Sequence, residues 1–188
     1  MRCFLALSPD PDATARIAAM LERLGRMRGR VRWVEPAQVH LTLQFLGEVA
    51  EDALPDLVAA LGMLPPRAPL ALSLDGTGRF PPRGAARVLW LGLGGELDRL
   101  QALVDDVAAC CEAVGFPRER RPFRPHMTLG RVKGPEGLDR IVGELERLGR
   151  ELGPGLTPID RVRLLESRLG PSGARYTEVA AFPLAGTG

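Results

Sequence analysis

Two hydrophobic periods alternate along the chain. Met1 to Leu7 is a short apolar run that reads as a strand, and Asp10 or Asp12 is placed to cap a helix after it. In that helix Ile17, Met20, Leu21, Leu24 and Met27 fall on one face. Arg28 to Glu35 is mixed and reads as a loop leading into a short strand. Val39 to Leu46 then alternates, and Gly47 is expected to end the run. A second helix is predicted from about Glu51 to Met63, with Leu54, Leu57, Val58 and Leu61 inward, and Leu70 to Leu74 is a further strand. Phe80-Pro81-Pro82 reads as a loop.

The second half repeats the order. Arg87 to Leu93 is an apolar strand, and Leu97, Leu100, Val104, Val107, Cys111 and Val114 form one face of a helix that stops near Gly115. Arg124 to Val132 is a strand with a proline near its start, where a missing donor is tolerated. Leu138, Ile141, Val142, Leu145 and Leu148 mark another helix. Arg161 to Leu169 and Arg175 to Pro183 flank a Gly-Pro-Ser-Gly turn and predict a hairpin. The expected fold is therefore α+β: a single bilobal domain over 1–188, with approximate halves 1–84 and 85–188 related by a pseudo-two-fold axis. Its antiparallel sheets carry helices outside and enclose a central groove.

The chemistry sits in that repeat. The chain has two histidines, and both occur as His-x-Thr-Leu: His40-Leu41-Thr42-Leu43 and His126-Met127-Thr128-Leu129. Alternate side chains of a strand share a face. His40 and Thr42 therefore point one way, while Val39, Leu41, Leu43 and Phe45 are expected to point into the lobe. His126 and Thr128 stand in the same relation to Met127 and Leu129. A pseudo-two-fold axis would bring both polar faces to one groove. Two imidazoles suit proton transfer near neutral pH, one as base and one as acid, and two hydroxyls suit phosphoryl oxygens. A single His beside a Thr on a strand is ordinarily a solvated surface pair. Two copies at equivalent places, holding every histidine of the chain, favour a site.

Composition narrows the alternatives. The 188 residues carry a net charge of +2 and are 45% hydrophobic, enough for one domain without disulfide or metal support. No apolar run approaches the ~18 residues of a membrane span, and the first residues are too few in apolar content for a signal peptide. Cys3, Cys110 and Cys111 show no C-x-x-C spacing, so buried thiols in a reducing, cytoplasmic setting are expected. All but one of the 25 basic residues are arginine. The lone lysine, Lys133, lies in Gly-Arg-Val-Lys-Gly-Pro, which is neither a phosphate loop nor an adenylation motif, so ATP-driven lysine chemistry is excluded. No metal is expected, because no Asp, Glu or Cys sits at ligand spacing beside either histidine. Leu91-Gly92-Leu93-Gly94-Gly95 lacks the full dinucleotide-binding pattern and reads as a plain turn. Six arginines between Arg16 and Arg32, and Arg118, Arg120, Arg121 and Arg124, lean slightly toward guiding RNA over merely solubilising a face.

The motifs resemble those of the two-histidine (2H) phosphoesterases, and more narrowly the bacterial and archaeal RNA 2′,3′-cyclic phosphodiesterases, also called 2′-5′ RNA ligases. The resemblance runs through Arg32-Trp33-Val34, Val39 to Gly47 and Arg87 to Gly92. It continues through Arg121 to Arg131, Leu165-Glu166-Ser167 and Phe182-Pro183-Leu184. It implies a metal-independent enzyme without cofactor that hydrolyses the 2′,3′-cyclic phosphate of an RNA end to a 2′-phosphomonoester. Reversible, ATP-independent 2′-5′ ligation is implied as well. Carried over by position, His40 is the proton donor and His126 the proton acceptor, Thr42 and Thr128 bind phosphate, Phe45 stacks on a base and Arg131 contacts substrate. Strict alternation puts Phe45 and Arg131 on the wrong face unless a bulge near Gly47 and Gly130 turns them, and without one Arg124 is the better phosphate partner. Tyr176 reads as packing, within reach of the groove. The expected partners are RNA with cyclic phosphate ends or small cyclic nucleotides, with no membrane, and a monomer is expected. The rival readings are an RNA-end-binding module with an inactive site, or an enzyme for another small cyclic or 2′-5′-linked nucleotide.

Overall fold

A computed structural model describes residues 1–153, 155–170 and 173–186. The chain runs β1 (Arg2–Leu7), α1 (Pro11–Gly25), β2 (Val31–Trp33), β3 (Leu41–Glu48), α2 (Leu54–Gly62), β4 (Leu70–Phe80) and β5 (Val88–Gly95). It continues through α3 (Leu97–Ala113), β6 (His126–Val132), α4 (Leu138–Glu151), β7 (Leu156–Ile159), β8 (Arg161–Gly170) and β9 (Gly173–Pro183). Asp10 starts α1: its side chain accepts from the Ala13 amide at 2.8 Å, with Pro11 in the first turn where no donor is needed. Ile17, Met20, Leu21 and Leu24 form the buried stripe that their spacing predicts.

All strand pairings are antiparallel, in the order β7-β4-β5-β6-β3-β1-β8-β9, with β2 alongside β6. The order is a mirror about the β3–β6 contact, where Leu41 faces Met127. Each side of the mirror draws on both parts of the chain. β4 crosses to pair with β5, and β8 returns to pair with β1. One face of the curled sheet is covered by the helices. Leu5, Leu7, Leu41, Leu91, Met127, Leu129 and Leu164 point to that side and pack with Ile17, Leu24, Leu57, Leu61, Leu100, Val107 and Ile141 in one core. The opposite face carries no helix and has a small apolar cluster of its own: Phe4, Ala6 and Leu165, with Tyr176 packed against it.

Several boundaries differ from the sequence expectation. Val39 and His40 precede β3, because a turn of 3-10 helix over Pro36–Gln38 delivers the chain to the strand. β6 begins at His126 and not Arg124, directly after Pro125. Gly47 does not end β3: at φ +72° it sits beside a register shift, and pairing continues to Glu48. Leu70 to Phe80 is one strand, kinked by a bulge between Leu74 and Thr77 where Gly76 takes φ +68°, so Phe80 closes a strand instead of opening a loop. The 161–183 hairpin forms as β8 and β9; Pro171 and Ser172 of its expected turn lie outside the described residues. The three cysteines are free, and burial pushes the Cys111 thiol up to about 12. Among the described residues no helix is long and apolar enough to cross a membrane.

Candidate active site

The β3–β6 contact decides where the two motifs go. Leu41 and Met127 are registered partners, and both are buried beneath the sheet on the helix side. Side chains alternate, so His40 and Thr42 project to the helix-free face, as do His126 and Thr128. Continuing the antiparallel register by one residue sets His40 across from Thr128 and Thr42 across from His126. Cross-strand neighbours on one face lie about 4.5–5.5 Å apart at Cβ. The four side chains that the sequence singles out therefore share one face at the β3–β6 contact, and the charge of His126 reaches His40.

Each imidazole is held by its own backbone, and in the same way. His40 Nδ1 lies 2.7 Å from the Gln38 carbonyl, and His126 Nδ1 lies 2.7 Å from the Arg124 carbonyl. A carbonyl can only accept, so Nδ1 carries the proton and donates it in both rings. Nε2 is left in each ring as the atom that gives or takes a proton. The rings are bracketed by aromatics. His40 lies between Phe4, at 4.9 Å between ring centroids, and Tyr176, edge-on at 5.0 Å. His126 meets Phe80 edge-on at 5.0 Å and Trp90 at 6.3 Å. Burial lowers the pKa of His40; the nearby positive charges of Arg163, His126 and Arg131 act in the same direction, and the bond to the Gln38 carbonyl opposes them. His40 in the free protein is thereby biased toward the neutral imidazole.

The parity problem has a structural answer. In β1–β3 the register passes from Leu5↔Gln44 to Ala6↔Thr42, and Leu43 is left without a partner. In β5–β6 it passes from Leu89↔Gly130 to Trp90↔Thr128, and Leu129 is left over in the same manner. Each motif contains a bulge at its leucine, which reverses the facing of the residues after it. Phe45 pairs with Phe4, and Phe4 shares a face with Ala6, the partner of Thr42. Phe45 is thus on the histidine face and 57% exposed, not packed into the lobe as strict alternation predicts. Arg131 pairs with Val88, which shares a face with Trp90, the partner of Thr128, so it too joins the histidine face. In exchange Gln44 turns inward, where its amide donates to the Pro117 carbonyl at 3.1 Å. The bulges lie at Leu43 and Leu129, a few residues before Gly47 and directly before Gly130. With them in place the parity argument for Arg124 lapses; that residue contributes its carbonyl to His126.

The aromatic bracket is hidden from a sequence reading. Phe4 and Trp90 occupy alternate positions in strands whose other positions are core leucines, and Phe80 lies at the end of a strand read as loop. Tyr176, read as packing, does pack on Phe4, at 5.0 Å, and also faces His40. Nothing in the sequence singles out Arg163. It is anchored by Ser8 at 2.7 Å and by Glu178, and its charge reaches His40. Among the described residues no three His, Cys, Asp or Glu side chains converge as a metal cage. The arrangement offers two Nε2 atoms, two hydroxyls, an exposed ring and guanidinium groups on one surface. That set fits acid–base transfer at a phosphoryl centre.

Comparison with known proteins gives the same direction. Residues 5–171 match the profile of the 2′-5′ RNA ligase superfamily. A curated RNA 2′,3′-cyclic phosphodiesterase of Thermus thermophilus is 36% identical over 195 residues, covering 99% of this chain and 91% of that protein. Another, of Archaeoglobus fulgidus, is 34% identical over 186 residues, covering 97% and 99%. Among solved structures, a Thermus thermophilus protein superposes with a TM-score of 0.78 at 32% identity, covering 99% of both chains. Escherichia coli LigT, solved with 3′-AMP, superposes with a TM-score of 0.74 at 25% identity over 97% of both.

Proposed function

The chain belongs to the 2′-5′ RNA ligase superfamily, and on that premise we propose that it is a phosphoric diester hydrolase that opens RNA terminal 2′,3′-cyclic phosphates to 2′-phosphomonoesters. The observation that carries the reading is the mirrored pair of imidazoles, tethered alike at Nδ1 and turned to one face beside two threonines. A water oxygen bonds to phosphorus as its proton passes to Nε2 of His126. The bond from phosphorus to O3′ breaks as Nε2 of His40 gives its proton to the departing oxygen. Thr42 and Thr128 donate to the non-bridging oxygens, and Arg131 balances their charge. Phe45 offers a flat face to the terminal base. A ring already strained toward opening leaves the protein two proton transfers and positioning, and the site supplies both without drawing on a metal or on ATP. An incoming 5′-hydroxyl in place of water forms a 2′-5′ bond by the same steps, and their reversal cleaves it.

The test is turnover of a 2′,3′-cyclic nucleotide and of an oligoribonucleotide ending in a cyclic phosphate. His40→Ala and His126→Ala each reduce kcat by about 10²–10⁴ with the fold retained, since that is the usual contribution of one positioned proton-transfer group. A chelator leaves the wild-type rate unchanged. Near-normal turnover by either variant removes that histidine from the mechanism, and release of product from other cyclic nucleotides alone redirects the assignment to them.

A further inference from the structure

The sequence marks an arginine-rich stretch ending at Arg32 that the histidine face does not absorb. Arg30 leads into β2, and β2 pairs with β6 as Val31↔Val132, Arg32↔Arg131 and Trp33↔Gly130. Arg32 therefore stands directly across from Arg131, on the face that carries His126. Beyond that pair the Lys133 amide donates to the Arg30 carbonyl at 2.7 Å, so the two chains continue side by side. Arg30, Arg32, Arg131 and Lys133 are all exposed. Arg30, Arg32 and Lys133, with Val31, line one shallow concavity of about 440 Å³. The result is two rungs of paired cations that start at Arg131 and lead away from the histidines.

Like charges directly opposite on one face of an antiparallel pair repel each other. This chain has 23 acidic residues to interleave with its arginines, and on the helices it does so: Glu144 serves both Arg23 and Arg147. On β2–β6 the registered pair Arg32↔Arg131 sets cation opposite cation. Glu136 approaches Arg30 at 3.7 Å at the outer end, with both side chains 61% exposed, where such a pair screens weakly. A polyanion laid across the rungs relieves the repulsion. The rungs are about 6.6 Å apart along the strand, which suits successive phosphates of one strand better than a single phosphate.

We propose that Arg30, Arg32, Arg131 and Lys133 form a track for the single-stranded RNA upstream of the reacting end, gripping its backbone phosphates. The proposal rests on the reading of the histidine face as the site of the terminal cyclic phosphate. From there the strand leaves over β2 and β6. Phosphate contacts position a strand without reading its sequence, so the track favours a polymer end over a mononucleotide and accepts many sequences.

The test uses the full chain and the double variant Arg30→Gln/Lys133→Gln, which spares Arg131. Binding is read by anisotropy of a 5′-labelled oligoribonucleotide ending in a 2′-phosphate, a ligand that needs no turnover. Removing two phosphate contacts weakens binding about tenfold and flattens the dependence of log affinity on log salt by about 1.4, at 0.7 per contact. Turnover of 2′,3′-cyclic AMP stays within about twofold, since a mononucleotide held at Arg131 does not extend to Arg30 or Lys133. Unchanged RNA affinity and salt slope overturn the proposal. So does an equal loss with cyclic AMP, which would mean that the site itself was disturbed. Wild-type protein that binds polyglutamate as tightly as RNA assigns the strip to an acidic polypeptide and overturns it too. Failure of the activity reading shows separately, as wild-type protein that opens no cyclic phosphate, and the anisotropy still decides the track.

Discussion

Each imidazole keeps a proton on Nδ1 because a carbonyl two residues upstream holds it there, and no carboxylate takes part in either tether. Their surroundings then part company. His40 is enclosed by Phe4 and Tyr176, and burial first, then the charges of Arg163, His126 and Arg131, lower its pKa from the ordinary 6.5. In the donor role we propose for it, His40 must be charged. Hence kcat/KM, which reports the free protein, declines as pH rises through a value below 6.5. A phosphate anion bound beside the ring favours the imidazolium and raises that pKa again. The alkaline limb of kcat therefore lies at higher pH than that of kcat/KM. Paired pH profiles of kcat and kcat/KM check this; coincident limbs above 6.5 would move the donor role away from His40.

The strands that carry these residues work through their irregularities. A strictly alternating β3 would bury Phe45 and present Gln44, and the leftover Leu43 inverts that outcome. The paired bulge at Leu129 does the same for Arg131 and also brings Gly130 against β2. A Cβ at Gly130 would lie 2.7 Å from Val31 Cγ1 and 2.8 Å from the Trp33 ring. Gly130→Ala thus pushes β2 off β6, at a cost of about 1–3 kcal/mol. The thermal midpoint should fall by several degrees, with loss of RNA affinity as Arg32 and Arg131 separate. Gly143→Ala, in open space within α4, is the matched control and raises the midpoint slightly. Melting curves of the two variants decide it; equal midpoints would mean that β2 yields freely. The helices and the motif strands were legible because each announces itself in a local period. The bulges were not, since a leftover residue changes facing without changing composition. β7, at four residues, is too short to show a period at all.

The sheet as a whole is interleaved in a way no local pattern reveals. The repeat of strand, helix, strand, helix, strand suggests two similar lobes packed together, one from each half of the chain. In the folded chain β4 pairs with β5 and β8 pairs with β1, so each part completes the sheet of the other. Long-range register of this kind depends on which buried faces meet, and the sequence shows faces without saying which partner each finds. Fragments 1–84 and 85–188, made separately, should each lack cooperative unfolding because β1 and β5 lose a neighbour. Mixed, they should recover a common melting transition, read by circular dichroism. A fragment that folds alone would overturn the dependence. The β3–β6 contact keeps His40 and His126 in a fixed relation, since β3 also pairs with β1, and β6 with β5 and β2.

Two His-x-Thr motifs related by a pseudo-two-fold rotation carry an ambiguity: a ligand turned end for end would meet the same pair of side chains in either motif. The residue five places after each histidine removes that degeneracy. There the rotation maps an exposed benzyl ring, Phe45, onto a guanidinium, Arg131. Two matched His-x-Thr motifs, unlike at this place, give the surface a left and a right.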